Sequence, residues 1–362
     1  MEYSLTIVTV CYNALDKLAR TVDSVLAHKN RYPLNVEHLI VDGASTDGTP
    51  QRLEQWLAEG RIEAYVSEPD GGIYDAMNKG IRLARGKVLY FLNADDTLAG
   101  EDLSACVEPI LRGDVQHCAA PVYMDVKESE VMQIPRFEFI YLQTPCCHQG
   151  YFASTAFYRE LGGYDKESYR CIADADFMCR AYAKVGMPGI INTPVAVYPT
   201  TGFSQNCVFV YLPEYIRLIA RFWPRIEARV KEEPHYSALV SRRLIGKAYT
   251  LSSWILQYGL EDSACETLLT HIRKQARLEK QLKLKFMLWW LDKCFIRSLV
   301  EKKRVSKCFL KIAKAFTLLS SLRKDNPYLR PGEYVSAPLL RAIFAAARRR
   351  ILCRFKFAQS ER

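Results

Sequence analysis

The chain has 362 residues, 49% hydrophobic and 25% charged, a balance that suits a folded protein of more than one unit and excludes a disordered or fibrous chain. Its net charge of +10 is segregated: residues 1–205 hold 18 Lys/Arg against 27 Asp/Glu, and residues 206–362 hold 32 against 13, so the second part implies an anionic partner. Twelve cysteines with no CxxC pair fit free thiols in a reducing compartment, and no Cys/His cluster has the spacing of a structural zinc site.

Leu5 to Val10 is a β-branched run that predicts a buried strand, and Met1-Glu2-Tyr3-Ser4 leads into it without a secretory leader. Leu15, Leu18, Val22, Val25 and Leu26 recur at helical spacing. Val36 to Val41 predicts a second strand ending at Asp42, followed by the turn-rich Gly43–Thr49 loop and a helix from Pro50 to Leu57. Ile62 to Val66 is a third strand. Ile73, Met77, Ile81, Leu83 and Ala84 mark a helix ending near Gly86, and the apolar residues 88–92 run into Asn93-Ala94-Asp95-Asp96. From about residue 206, long stretches rich in Lys, Arg, Leu and aromatics replace this alternation. The expected domains are therefore 1–205 and a basic helical region, 206–362. No apolar run reaches the roughly 18–20 residues of a membrane span; Phe286 to Leu291 is cut short by Asp292 and Lys293.

Alternating strands and helices predict an α/β fold, a doubly wound, mostly parallel, Rossmann-like sheet that binds ligands beyond the carboxyl ends of its strands. Four polar clusters fall at such ends: Tyr12-Asn13, Asp42, Glu68-Pro69-Asp70 and Asn93 to Asp96. Two carboxylates closing a buried strand are costly unless something offsets their charge, which a hydrated divalent cation carrying a diphosphate does; the alternative is that Asp95 and Asp96 only cap the next turn.

Taken together, Thr6 to Asn13, Ile40 to Thr49, Ser67 to Gly80 and Phe91 to Asp96 resemble the family 2 glycosyltransferases of GT-A fold, and the third segment resembles the subgroup that builds bacterial surface polysaccharides, such as colanic-acid-type transferases. The resemblance covers about residues 4–205. It implies that Val10, Tyr12 and Asn13 pass close to a nucleoside and that Asp42 accepts a hydrogen bond from a uracil-type N3–H; Asp42 beginning an Asp-Gly turn is the alternative. Asp70 precedes Gly71-Gly72, where backbone can approach a ligand, and Asn78 edges the nucleotide pocket. Asn93 replaces the first acid of the family's Asp-x-Asp motif, leaving Mn²⁺ or Mg²⁺ to Asp95 and Asp96, with Asp95 also able to contact ribose.

In Ile172-Ala173-Asp174-Ala175-Asp176, the resemblance implies an inverting transfer with Asp174 as the base that takes the acceptor's proton. Asp176 is the second candidate, with helix capping as its alternative, and Arg180 is spaced to hold either carboxylate. His148 and Gln149 are expected at the donor or acceptor sugar, His148 equally serving as a core residue. Gly162-Gly163 is a turn, and Thr201 to Ser204 resembles a late loop over the diphosphate.

Arg217, Arg221, Arg225 and Arg229 form a basic helical stripe. Trp289-Trp290, Lys302-Lys303-Arg304, Arg348-Arg349-Arg350 and an apolar face at Phe309, Ile312, Ala313 and Phe316 add aromatics beside charge. This pattern fits peripheral contact with an anionic membrane, or a basic face packed on the catalytic unit; no nucleic-acid module is recognisable. The expected protein is a cytoplasmic, metal-dependent transferase, peripheral at the inner face of the plasma membrane if the basic region meets lipid, moving a sugar from a nucleotide sugar, UDP above all, to a lipid-linked or oligosaccharide acceptor. A non-catalytic nucleotide-sugar-binding scaffold on the same fold is the alternative.

Overall fold

A computed structural model describes residues 2–126, 129–199, 214–215, 217–219, 221–233, 236 and 240. The β-branched run at the start forms β1 (Leu5–Cys11), all of it buried, because neighbours flank it on both sides. Helix α1 (Leu15–Arg31) follows, burying Leu18, Thr21, Val22 and Val25 along one stripe. Next come β2 (Val36–Asp42), α2 (Thr49–Ala58), β3 (Ala64–Ser67), α3 (Ile73–Leu83) and β4 (Val88–Phe91). Strands β1 to β4 are parallel, and their register sets Cys11 opposite Asp42, Asp42 opposite Ser67, and Val8 opposite Phe91. The loops after all four strands therefore open at one edge of the sheet, as expected of a doubly wound fold.

The following stretch departs from simple alternation. It comprises β5 (Thr97–Leu98), α4 (Ser104–Leu111), β6 (His117–Ala119), β7 (Val122–Val126), β8 (Ser129–Gln133), a 3-10 turn His148–Gly150, β9 (Tyr151–Ser154) and α5 (Thr155–Glu160). Helix α6 (Ala173–Val185), β10 (Gly189–Ile190) and β11 (Ala196–Pro199) complete it. The main sheet has the order β10-β6-β9-β4-β1-β2-β3, and β9 runs antiparallel to both β4 and β6. Tyr90 and Phe152 stack across that junction with ring centroids 4.1 Å apart. A second sheet, β5-β11-β7-β8, begins directly after Asp96.

Packing divides the chain into Met1–Glu232 and Glu233–Arg362, later than the expected boundary near 205. The reason is that helical residues beyond 213, including α7 (Trp223–Glu232), belong to the first unit. Tyr215 Oη bonds Thr144, Phe222 stacks on Tyr141, and Leu218, Ile219 and Ile226 are buried. The expectations for residues 201–204, 289–290, 302–304, 309–316 and 348–350 lie outside the described residues. Among the described residues no helix is long and apolar enough to cross a membrane.

One glycine fixes how the 3-10 turn meets the sheet. A Cβ on Gly150 would stand 2.2 Å from the Ala120 carbonyl oxygen, which cannot move because the strand around it is paired. Gly150→Ala is expected to cost about 1–3 kcal/mol by overpacking, read as a lower urea midpoint with an unchanged slope.

Candidate functional site

The loop after β4 is shaped by α1. Thr21 Oγ donates to the Asp96 carbonyl at 2.8 Å and accepts from the Asp95 amide at 3.1 Å. Asp95 adopts a φ of +90°, rare for a non-glycine residue. Its carboxylate meets Lys17 Nζ at 3.1 Å and the Arg20 guanidinium. In this arrangement two cations on α1 offset the charge of Asp95, the residue expected at metal or ribose.

Asp96 goes the other way. It is 6% exposed, and burial pushes its carboxyl up to about 7, against the pull of the Gln149 hydrogen bond. Gln149 Nε2 donates to Asp96 Oδ2 at 3.0 Å, so Gln149 holds a carboxylate rather than standing free for a sugar. On the same loop the Asn93 side-chain oxygen is buried without a partner. A buried carboxylate and an orphaned amide oxygen three residues apart on one loop are hard-oxygen donors of the kind a divalent cation takes, its remaining ligands coming from phosphate and water. Among the described residues no three His, Cys, Asp or Glu side chains gather at metal-ligating distance.

The residue next to Gln149 reaches the second acid. Asn93 Nδ2 lies 2.9 Å from His148 Nε2. An amide N–H can only donate, so Nε2 accepts and the ring proton sits on Nδ1, 3.9 Å from Asp174 Oδ2. Burial lowers the His148 pKa and favours this neutral form. Asp174, in the first turn of α6, also accepts from Tyr74 Oη at 2.9 Å, and burial with that carboxylate keeps the phenol protonated. The side chain of Asp174 is 15% exposed. Consecutive residues of one 3-10 turn thus face the two acids.

Asp176 differs from Asp174. It is fully buried, with Arg180 Nε 2.7 Å from one oxygen and Arg221 Nη1 2.9 Å from the other. Both oxygens are committed to protein, which removes it as a proton acceptor for substrate. Arg221, expected on a basic stripe that meets lipid or packs on the catalytic unit, is turned to Asp165 and Asp176, and Arg229 donates to the Glu138 carbonyl.

On the β1–β3 side, Asp42 is fully buried and accepts from Cys11 Sγ, from the Ser45 amide and hydroxyl, and from Ser67 Oγ. These four donors tie Asp42, the residue expected at the base, to the ends of β1 and β3 and to its own loop. Asn78 is likewise tied: its amide bonds both backbone groups of Tyr164, at 2.8 and 2.9 Å. Lys79 holds the Pro69 carbonyl at 2.7 Å. Val10 is buried and contributes backbone only, while the Asn13 side chain accepts from the Thr46 amide at 2.8 Å. What remains accessible is the 65% exposed ring of Tyr12 beside Gly43 and the Asp70 carboxylate; a Cβ on Gly43 would stand 2.6 Å from Asp70 Oδ2. Sequence reasoning missed the roles of Thr21 and Tyr74. Thr21 is a polar residue within the apolar stripe of α1, and that break was its signal.

The family model for Glycosyl transferase family 2 matches residues 6–172, from β1 to the residue before α6. An uncharacterized glycosyltransferase of Mycobacterium tuberculosis is 31% identical over 219 residues, 56% of this chain and 78% of the relative. This chain belongs to glycosyl transferase family 2. A PGL/p-HBAD biosynthesis glycosyltransferase of Mycobacterium bovis is 30% identical over 216 residues, 53% of this chain and 81% of that one. The fold of this transferase matches Staphylococcus aureus TarS 1-349 solved with UDP, at a TM-score of 0.60, 17% identity, 93% of this chain and 98% of that one. The TarS complex with UDP-GlcNAc gives 0.56 at 16% identity over the same shares of the two chains.

Two outcomes follow for the transferase. In metal-free protein the folded state keeps a proton on Asp96 that the unfolded chain releases near pH 4, so stability falls as pH rises from about 4 to 7. Asp96→Asn should therefore raise the melting temperature of chelator-treated protein at pH 8 and change it little at pH 4. Asp176→Asn should lower the unfolding free energy by about 3–5 kcal/mol, as expected for breaking a buried ion pair, read as a lower urea midpoint. The UDP affinity of folded Asp176→Asn protein should match wild type in a calorimetric titration.

Proposed function

We propose that this family 2 glycosyltransferase moves a sugar from a nucleoside diphosphate, UDP being the nucleotide expected, to an acceptor hydroxyl with inversion. The observation that carries the reading is the pair Asp96 and Asp174, reached by neighbouring residues of one turn at the carboxyl edge of a parallel sheet. Asp96 and the Asn93 amide oxygen are the residues suited to hold Mn²⁺ or Mg²⁺. Such an ion, when bound, stabilises charge on the departing diphosphate.

The chain's own groups then divide the work. Tyr74 Oη donates to one oxygen of Asp174 and so aims the carboxylate. Asp174 accepts the acceptor hydroxyl's proton as the oxygen bonds to the anomeric carbon and the bond to the diphosphate breaks. His148 Nδ1–H, facing the same carboxylate, keeps its orientation. Tyr12, Gly43 and Asp70 form the accessible wall suited to the nucleoside. A lipid-linked or oligosaccharide acceptor of surface polysaccharide synthesis, reached at the cytoplasmic face of the membrane, is the acceptor class we favour. The excess of 32 Lys/Arg over 13 Asp/Glu in residues 206–362 would suit a phosphorylated carrier.

The test is calorimetric titration of UDP and UDP-sugars, beginning with UDP-GlcNAc, with and without Mn²⁺, on wild type and Asp96→Ala. Metal-dependent binding that Asp96→Ala loses is expected; no nucleotide binding under any condition overturns the reading. Asp174→Asn should bind donor normally and lower turnover, measured as UDP release, by about 10²–10⁴-fold.

A further inference from the structure

Residues 161–172, which lead into α6, form no helix or strand, yet the Asp174 carboxylate must be aimed to within a fraction of an ångström to serve as a base. Three consecutive amides in this stretch turn to one side chain. The Arg170 amide donates to Glu214 Oε1 at 2.7 Å, and the Cys171 and Ile172 amides donate to Oε2 at 2.9 and 3.2 Å. Glu214 is 3% exposed and its carboxylate stands at the amino end of α6, where helix dipole and backbone donors both favour negative charge. Seven residues on, Arg221 grips Asp165 and Asp176, on either side of this lead-in. Leu218, between them, is fully buried.

We propose that Glu214 is a positioning residue for the transfer reaction: it gathers the 170–172 amides and so sets where the Asp174 carboxylate points. This inference rests on Asp174 being the base. It assigns part of the catalytic geometry to a segment beyond residues 6–172, the span the family model matches. Glu214→Gln keeps the shape but sets an amide N–H₂ against backbone N–H donors, so the lead-in loses at least one of its bonds. The helix end and the buried apolar face remain, so the protein should still fold.

The experiment uses the full chain and measures UDP released from UDP-GlcNAc, or from the UDP-sugar that wild type turns over. Glu214→Gln is made alone and together with Asp174→Asn, and UDP affinity is measured alongside. Turnover should fall by about tenfold or more, with donor KM and UDP affinity within about twofold of wild type. In the Asp174→Asn background, Glu214→Gln should add no further loss, because its effect passes through the carboxylate already removed. Unchanged turnover, or an equal further loss in that background, overturns the proposal. If Glu214→Gln is not recovered folded, Glu214→Asp replaces it, keeping the charge with a shorter reach, and is judged by the same outcomes. Full turnover by Asp174→Asn overturns the base assignment and the inference with it, whereas an inactive Asp174→Asn beside a fully active Glu214→Gln overturns the inference alone.

Discussion

Everything at this site depends on keeping a carboxyl group in a place with little access to water. Asp96 closes a strand whose residues are all buried, and it has one side-chain donor, Gln149. A group in that position is at ease only when protonated or when a cation shares it. The surrounding parts serve to hold it there: Thr21 ties the loop backbone to α1, and Lys17 and Arg20 draw off the neighbouring charge of Asp95. Gly150 lets the turn bearing Gln149 lie against β6. The helix on one side of the sheet and the antiparallel strand on the other thus converge on a single side chain.

The same edge concentrates unfavourable backbone. Asn13, Ala44 and Asp95 all have positive φ, and they follow β1, β2 and β4. Each such residue costs on the order of 1–3 kcal/mol and persists only where its surroundings enforce it. Asn13 is enforced by Ser45 and Thr46, Asp95 by Thr21. The three loops are therefore braced against one another and against α1, and this edge of the sheet is held rigid.

The parallel half of the fold could be read from the chain because its strands are continuous β-branched runs and its helices carry clean apolar stripes. The edge holding Asp42, Asp70 and Asp96 followed from that alternation alone. The antiparallel β9 could not be read: Tyr151 to Ser154 is four residues long, and only its pairing with both β4 and β6 makes it a strand. Residue roles were harder still. Asp42 and Asn78 look like ligand-binding groups at their positions, but partners 3 to 86 residues away already hold them. Asp174 and Asp176 are two residues apart and nearly alike in sequence. What separates them is Arg221, some forty-five residues on, whose charge closes one and leaves the other open.

The place of β9 has a consequence for how the chain comes off the ribosome. Strands β1 to β4 can pair among themselves as soon as residue 91 is made, but one side of β4 has no partner until residues 151–154 emerge. Through that interval the nascent chain carries an apolar strand, Val88-Leu89-Tyr90-Phe91, with an open hydrogen-bonding edge able to pair with another copy. Closing that edge also delivers the His148–Gly150 turn to the two acids, since the turn immediately precedes β9. The half-made protein is thus at its most adhesive in the state where its site does not yet exist, and one strand ends both conditions together.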